Sequence, residues 1–136
     1  MPHFKKVLLI DDDEITVTIC DRLMKISNFA ADVIACADGQ RATDYLVQNV
    51  SSLPEIILVD LQMGIMNGWE FLNWFKKWSA SLQKSPAAYV LSSSLSHEDV
   101  QRSESYRCVK GFIVKPITVE HLNNIAADVS GASPDE

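Results

Sequence analysis

The chain has 136 residues, of which 47% are hydrophobic, and this is enough apolar material for the core of one ordinary domain. Its 12 basic and 18 acidic residues give a net charge of −6, so its surface repels nucleic-acid phosphates and anionic lipids. A direct nucleic-acid partner is therefore not expected, and no apolar run approaches the roughly 20 residues of a membrane-spanning helix.

The cysteines and the first residues indicate a reducing compartment. Cys20, Cys36 and Cys108 are odd in number and widely spaced, so they fit neither a disulfide framework nor a metal knuckle. The basic start is followed by an apolar run too short for a signal peptide. We expect buried free thiols, no membrane insertion and a cytoplasmic protein.

Five short apolar runs predict five strands. They occupy residues 7–10, 32–36, 56–59, 88–91 and 111–114. Because the runs are continuous rather than alternating, they are typical of parallel strands covered on both faces.

The segments between these runs have helical spacing. The first carries Ile15, Ile19 and Leu23 at every fourth residue, and the third opens near Gly68. The second repeats Ala42, Tyr45, Leu46 and Val50, the fourth opens with Ser96 and Asp99, spaced as an N-capping pair, and the last runs from Thr118 to Val129. Strands that alternate with helices predict an α/β fold, a doubly wound parallel sheet in the order 2-1-3-4-5. We expect one domain over residues 1–129 and a disordered polar tail over residues 130–136.

Polar residues follow four of the predicted strands. Asp11, Asp12 and Asp13 follow the first, Asp60 the third, Ser92 the fourth and Lys115 the fifth. The carboxyl ends of parallel strands meet at one edge of a sheet, so these side chains are expected to converge. Any one of them alone is more often a turn former, a cap or a solvated charge; only the joint placement indicates a site.

A site with several carboxylates, one lysine and one hydroxyl suits Mg²⁺ and phosphoryl chemistry. Clustered carboxylates resist joint ionisation unless a cation offsets them, and carboxylate oxygens are the ligands that Mg²⁺ prefers. Asp60 is the candidate nucleophile for a phosphoryl group.

Four segments, VLLIDDDE, IILVDLQMGIMNGWEFL, YVLSSS and GFIVKPIT, together resemble the signature blocks of response-regulator receivers, in order and across essentially the whole chain. The resemblance implies the flavodoxin-like receiver fold of a chemotaxis-type, single-domain regulator in a two-component system or phosphorelay. It implies that Asp60 is the phosphoacceptor and that Ser92 and Lys115 contact the phosphoryl group. The metal ligands would be Asp11, Asp12, Asp60 and the backbone carbonyl of Gln62.

The resemblance also implies a two-state switch, in which Ser92 moves to the phosphoryl group and Phe112 turns inward. A cis peptide bond is expected before Pro116. The donor would be a sensor histidine kinase or a histidine phosphotransfer protein, and the output would pass through contacts with a downstream protein. Such a module is not a conventional enzyme, and we expect a monomer or a weak phosphorylation-dependent dimer.

Some positions depart from the common receiver pattern. Gly64 replaces a frequent proline, Ser93 replaces a small apolar residue, and Phe112 lacks the hydroxyl of a tyrosine. Gln62 and Ser94, at the positions that influence hydrolysis of the phosphoryl group, are uncharged. The phosphoryl lifetime is left open by these residues.

Two alternative functions remain. A haloacid-dehalogenase-type phosphatase would use Asp11 and Asp13 as its D-x-D motif, but the chain after Lys115 lacks the acidic pair of that family. A receiver-like module could also bind partners without phosphorylation. Separately, Trp74 and Trp78 extend the aromatic stripe of Phe71 and Phe75, so a partner surface on the third helix is a hypothesis beside simple core packing.

Overall fold

The protein forms one parallel sheet with helices on both faces in a computed structural model that describes residues 2–63, 65–93 and 96–130. The strands are β1 (Phe4–Ile10), β2 (Ala30–Cys36), β3 (Ile56–Asp60), β4 (Ala87–Ser92) and β5 (Val109–Val114). They pair in parallel in the order β2-β1-β3-β4-β5, which confirms the predicted topology. Each strand extends the apolar run that predicted it, because pairing with a neighbour recruits flanking residues.

Five helices connect or follow the strands. They are α1 (Glu14–Ile26), α2 (Gly39–Gln48), α3 (Gly68–Ser79), α4 (His97–Glu104) and α5 (Val119–Ser130). The last helix includes Ser130, so it continues one residue past the domain end predicted at residue 129. The rest of the predicted tail, residues 131–136, lies outside the described residues.

The sheet has a hydrophobic core on each face. Along β1, Val7 and Leu9 pack in the core under α1 and α5, whereas Leu8 and Ile10 pack in the core under α2 and α3. All four are fully buried. Because successive side chains of a strand point to opposite faces, a strand covered on both sides needs apolar residues at every position.

The buried face of α1 differs from the face that the sequence suggested. Ile15 and Ile19 are 70% and 49% exposed, whereas Cys20 and Met24 are buried. Both sets have helical spacing, so spacing predicted the helix correctly but not its rotation about its own axis. The rotation depends on how the helix packs against the sheet and α5.

Side-chain caps fix where α1, α2, α3 and α4 begin, and the cap of α2 is Asp38. Asn67 and Glu70 form a reciprocal capping box at α3. At α4, the Ser96 hydroxyl accepts a hydrogen bond from the Asp99 amide, as the spacing of this pair predicted. At α1, the cap is Asp13, directly after two acids of the predicted site.

The cysteines are all free, as expected. Cys20 and Cys36 are buried and Cys108 is half-buried. Burial raises the pKa of the first two thiols to about 11, so they stay protonated at neutral pH. Among the described helices, none is long and apolar enough to cross a membrane.

Candidate functional site

The carboxyl ends of β1 and β3 bring three carboxylates together. Oxygens of Asp11, Asp12 and Asp60 all lie within 4.8 Å of one another. Asp11 and Asp60 are buried, being 2% and 6% exposed, whereas Asp12 is exposed. The group therefore has two acids fixed in the protein interior and a third at its open side.

Lys115 binds the two buried acids from the end of β5. Its Nζ lies 2.6 Å from Asp11 Oδ2 and 3.4 Å from Asp60 Oδ2. The second oxygen of each acid is also held: Asp11 Oδ1 accepts the Asp13 amide at 2.9 Å, and Asp60 Oδ1 accepts the Gln62 amide at 3.2 Å. The two carboxylates and the lysine are thus fixed by complementary hydrogen bonds.

The pKa values of Asp60 and Lys115 both lie above their ordinary values. Burial raises the pKa of Asp60, and the Gln62 amide and the charge of Lys115 offset this only in part. Burial works against the charge of Lys115, but its hydrogen bond to Asp11 and the charge of Asp60 outweigh burial and raise its pKa. Lys115 is therefore held as a cation, while the charge of the buried Asp60 carboxylate is only partly compensated.

Asp13 does not belong to this cluster. Its carboxylate accepts the Ile15 amide at 3.0 Å and the Thr16 hydroxyl at 2.9 Å, both in the first turn of α1. These hydrogen bonds lower the pKa of Asp13, the Thr16 hydroxyl having the larger effect. Asp13 is the helix cap that the sequence allowed as an alternative to a site role.

The other predicted site residues lie around this cluster. Ser92 is buried at the end of β4, and its carbonyl accepts the Lys115 amide at 2.7 Å. Gln62 is exposed two residues beyond Asp60, and Phe112 is half-buried on β5 opposite Val90 of β4. The peptide bond between Lys115 and Pro116 is cis, the geometry that the resemblance implied. Ser93 is exposed, whereas Gly64 and Ser94 lie outside the described residues.

Two further residues, Trp69 and Asp99, lie beside the acids and were not predicted as site residues from the sequence. A cleft of about 440 Å³ opens next to Asp12, and Trp69 and Asp99 line it from the starts of α3 and α4. Its remaining lining residues are Leu61, Gln62, Met63 and Asn67. Neither Trp69 nor Asp99 follows a strand, so the pattern of polar residues at strand ends, which predicted the acids, gives no signal for them.

An aromatic column attaches α4 to α3. The Arg102 guanidinium lies 4.2 Å from the Trp69 ring centroid, and Trp69 stacks on Tyr106 at 5.9 Å. The Tyr106 hydroxyl donates to Asn73 Oδ1 at 2.8 Å. We call Arg102, Trp69, Tyr106 and Asn73 the aromatic column; it runs down one side of α3 from the cleft next to Asp12.

Trp74 and Trp78 are half-buried rather than fully exposed. Their rings stack at 5.0 Å, and both pack against the core under α2 and α3. Phe71 and Phe75 are fully buried in that core. Packing thus accounts for much of the surface of both tryptophans, and a partner surface there stays a prediction.

Residues 7–127 match the model of the response regulator receiver domain. The chain therefore belongs to the response-regulator receiver family, whose members are signalling modules of two-component systems. This agrees with the order of the sheet and with the acids at its carboxyl edge.

Individual relatives agree with the family. The chain is 29% identical to the "Probable methanogenesis regulatory protein FilR2" of Methanothrix harundinacea, over 90% of this chain and 79% of that protein. It is similar to the crystal structure of a two-component response regulator from Cytophaga hutchinsonii, with 28% identity, a TM-score of 0.88 and coverage of 94% and 98%. It is also similar to the phosphorylated cyanobacterial phytochrome response regulator RcpA, with 26% identity, a TM-score of 0.72 and coverage of 93% and 91%.

Proposed function

We propose that this protein is a phosphorylation switch in which Asp60 accepts a phosphoryl group in the presence of Mg²⁺. The donor is the phosphohistidine of a sensor histidine kinase or a histidine phosphotransfer protein, as in a two-component system or phosphorelay. The observation that carries the proposal is the contact of Lys115 with both Asp11 and Asp60, inside a cluster of three carboxylates.

The cluster fits a hard divalent cation. When ionised, its three carboxylates exceed the single ammonium of Lys115 by two negative charges, which one divalent ion balances. Oxygen donors from Asp11, Asp12 and Asp60, with the carbonyl of Gln62, match the preference of Mg²⁺. When bound, Mg²⁺ supplies positive charge next to the transferred phosphoryl oxygens.

The protein's own groups account for the rest of the transfer. A carboxylate oxygen of Asp60 attacks phosphorus in line, a P–O bond forms as the P–N bond to the donor histidine breaks, and the imidazole leaves with the electron pair of that bond. Lys115 Nζ, 3.4 Å from Asp60, is the cation that pairs with the new phosphoryl group. Ser92 supplies a hydroxyl from the adjacent strand.

Phosphorylation changes the charge that Lys115 and Ser92 face. In our proposal, Ser92 moves toward the phosphoryl group and Phe112 turns inward, which alters the face built from α4, β5 and α5. A downstream protein recognises that face, and the protein acts as a monomer or a weak phosphorylation-dependent dimer in the cytoplasm. In our proposal, the predicted domain over residues 1–129 contains the whole switch.

The geometry favours this function over a phosphatase that uses Asp11 and Asp13. Asp13 is engaged in capping α1, and Asp11 is engaged by Lys115 and the Asp13 amide. Asp60 makes contacts of the same kind, but they are longer: its carboxylate lies 3.4 Å from Lys115 Nζ, against 2.6 Å for Asp11, and 3.2 Å from a backbone amide, against 2.9 Å. The oxygens of Asp60 are therefore held less tightly than those of Asp11. The similarity to RcpA, a response regulator whose structure is of the phosphorylated form, also supports a phosphorylation switch rather than a phosphatase.

The test is intact mass after incubation with acetyl phosphate, a small phosphoryl donor, with Mg²⁺ and after removal of divalent cations. Wild type is expected to gain the mass of one phosphoryl group only with Mg²⁺, and Asp60→Asn is expected to gain none. Asp13→Asn is the matched control, because asparagine also caps helices and the same charge is removed nearby.

Two results would overturn the proposal. One is a wild-type protein that gains no phosphoryl mass with Mg²⁺ while a known receiver in the same buffer does. The other is Asp60→Asn gaining as much mass as wild type, which would move the acceptor elsewhere. If Asp13→Asn instead failed to gain the phosphoryl mass, the result would support the phosphatase motif.

A further inference from the structure

A second cavity lies at the opposite end of the sheet from the acids. It has a volume of about 620 Å³ and lies between the C-terminal end of α3 and the starts of β4 and β5. Ala87, the first residue of β4, lines it, whereas Ser92 at the other end of β4 lies at the acid site. At the usual rise per residue, the two sites are roughly 16 Å apart along the strand.

Every charged side chain in the lining of this cavity is a cation. They are Lys76 from α3, Arg107 from the loop before β5, and Lys110 from β5. Among the described residues, the ion pairs use other cations, so none of these three has a carboxylate partner. On a chain with a net charge of −6, three uncompensated cations around one cavity are a marked concentration of positive charge.

Local structure does not explain this concentration. Cations in the last turn of a helix are stabilised by its dipole, and this accounts for Lys76 and its neighbour Lys77. It does not account for Arg107 and Lys110, which lie outside the helices. Within the described part of the chain, Lys110 Nζ donates one hydrogen bond, to the Arg107 carbonyl at 3.3 Å, so two of its three hydrogens remain for a ligand.

We propose that this cavity binds a small oligophosphate or the phosphate end of a small phosphorylated molecule. Its volume lies within the range of small-molecule sites, roughly 300–1,000 Å³. The guanidinium of Arg107 and the two ammonium groups supply positive charge and N–H donors, which phosphate oxygens accept. Ser79 and Ser85 add hydroxyls to the lining.

The phosphate, rather than an attached base, is the recognised part. Tyr106 lines the cavity, but its ring already stacks on Trp69 at 5.9 Å and lies 5.1 Å from Lys76 Nζ. It is therefore a wall of the cavity and not an open platform for a base. The occupant is expected to touch the same Tyr106 that belongs to the aromatic column.

The experiment is a titration of the ¹⁵N-labelled full chain with inorganic pyrophosphate, followed by amide chemical shifts. The buffer is zwitterionic and freed of divalent cations by a chelating resin, so that the acid cluster cannot hold the anion through a metal. Wild type is compared with Lys76→Gln and with Lys77→Gln. Lys77 is the matched control because it is the exposed neighbour on α3 and does not line the cavity.

We expect saturable shifts at Ser79, Ser85 and Tyr106, a Kd about tenfold weaker in Lys76→Gln, and a nearly unchanged Kd in Lys77→Gln. The rest of each spectrum reports whether a variant is folded. The proposal is overturned by non-saturating shifts through the millimolar range, by shifts confined to the Lys115 end of the sheet, or by equal weakening in the two variants.

Discussion

Lys115 is the cation that compensates the two buried carboxylates of the site. It contacts two carboxylates that are almost completely buried, Asp11 and Asp60. Carboxylates in the interior are costly unless a cation and hydrogen bonds compensate them. The same residue that pairs with the phosphoryl group in our proposal therefore also stabilises the unphosphorylated fold.

Replacement of Lys115 by Gln is expected to lower the free energy of unfolding by about 3 kcal/mol in the absence of divalent cations. The reason is that Asp11 and Asp60 then face each other without an ammonium group. Added Mg²⁺ is expected to recover part of the loss. Urea denaturation at pH 7 with and without Mg²⁺ measures both effects.

Lys110→Gln serves as the control, since Lys110 is an exposed lysine near the start of β5, at the opposite end of that strand from Lys115. Its replacement is expected to change stability by no more than about 0.5 kcal/mol. Equal losses in the two variants would show that Lys115 does not stabilise the buried acids.

The absence of a side chain at Gly68 lets α3 begin in direct contact with the backbone of Asp60 and Leu61. A Cβ at this position would collide with the Asp60 carbonyl oxygen and lie 2.7 Å from Leu61 Cα. Both are backbone atoms, which cannot rotate away. The start of α3 is thus packed directly against the turn that presents Asp60.

Gly68→Ala is therefore expected to destabilise the protein by about 1–3 kcal/mol, although alanine is the better helix former. Urea denaturation measures whether the free energy of unfolding falls or rises. Gly111→Ala is the comparison, because its Cβ would meet only the Tyr89 ring, at 3.0 and 3.1 Å, and a side chain can shift. A Gly68→Ala protein as stable as wild type would contradict the close approach.

At the scale of elements, α4 is the helix with the least hydrophobic anchoring. It has eight residues, and Ser103 is its only buried residue. The aromatic column adds contacts that hold α4 in place: Arg102 stacks on Trp69, and Trp69 stacks on Tyr106 just beyond the helix. The position of α4 in the unphosphorylated protein therefore depends on contacts with α3.

Arg102→Gln is expected to loosen α4 selectively. A cation–π contact of roughly 1 kcal/mol corresponds to about fivefold faster hydrogen exchange of amides that open with the helix. Hydrogen exchange followed by mass spectrometry or NMR measures this. Arg22→Gln on the exposed side of α1 is the control. If hydrogen exchange in α4 became equally faster in both variants, the aromatic column would not be what holds α4.

At the scale of the whole molecule, the proposed metal site exists only in the folded protein. Asp11 and Asp12 come from β1 and Asp60 from β3, so the cluster forms only when the sheet is assembled. A cation that binds this arrangement and not the unfolded chain stabilises the fold by mass action.

Mg²⁺ at ten times its Kd is therefore expected to raise the free energy of unfolding by about 1.4 kcal/mol, or the Tm by about 4 °C. Asp12→Asn, which removes an exposed ligand without opening the core, is expected to reduce this shift strongly. Differential scanning fluorimetry with MgCl₂ against NaCl of equal ionic strength measures it. An equal Mg²⁺ shift in Asp12→Asn would place the ion elsewhere.

Much of this molecule could be predicted from local patterns in the sequence. The five apolar runs predicted the strands and their continuity predicted a sheet covered on both faces, because strand burial depends on residue type at each position. The polar residues after the runs predicted which residues share an edge, because parallel strands end on the same side.

Tertiary structure alone decided the details that depend on packing between distant segments. Spacing could not choose between Ile15 and Cys20 for the buried side of α1, because both fit a helical repeat and only the sheet selects one. It could not show that Asp13 caps a helix while Asp11 binds Lys115, because the two side chains are identical and only two residues apart, and the folded backbone decides which of them faces the lysine. The Arg102–Trp69 stack and the cationic cavity lie between elements far apart in sequence, and such contacts exist only once the helices have packed.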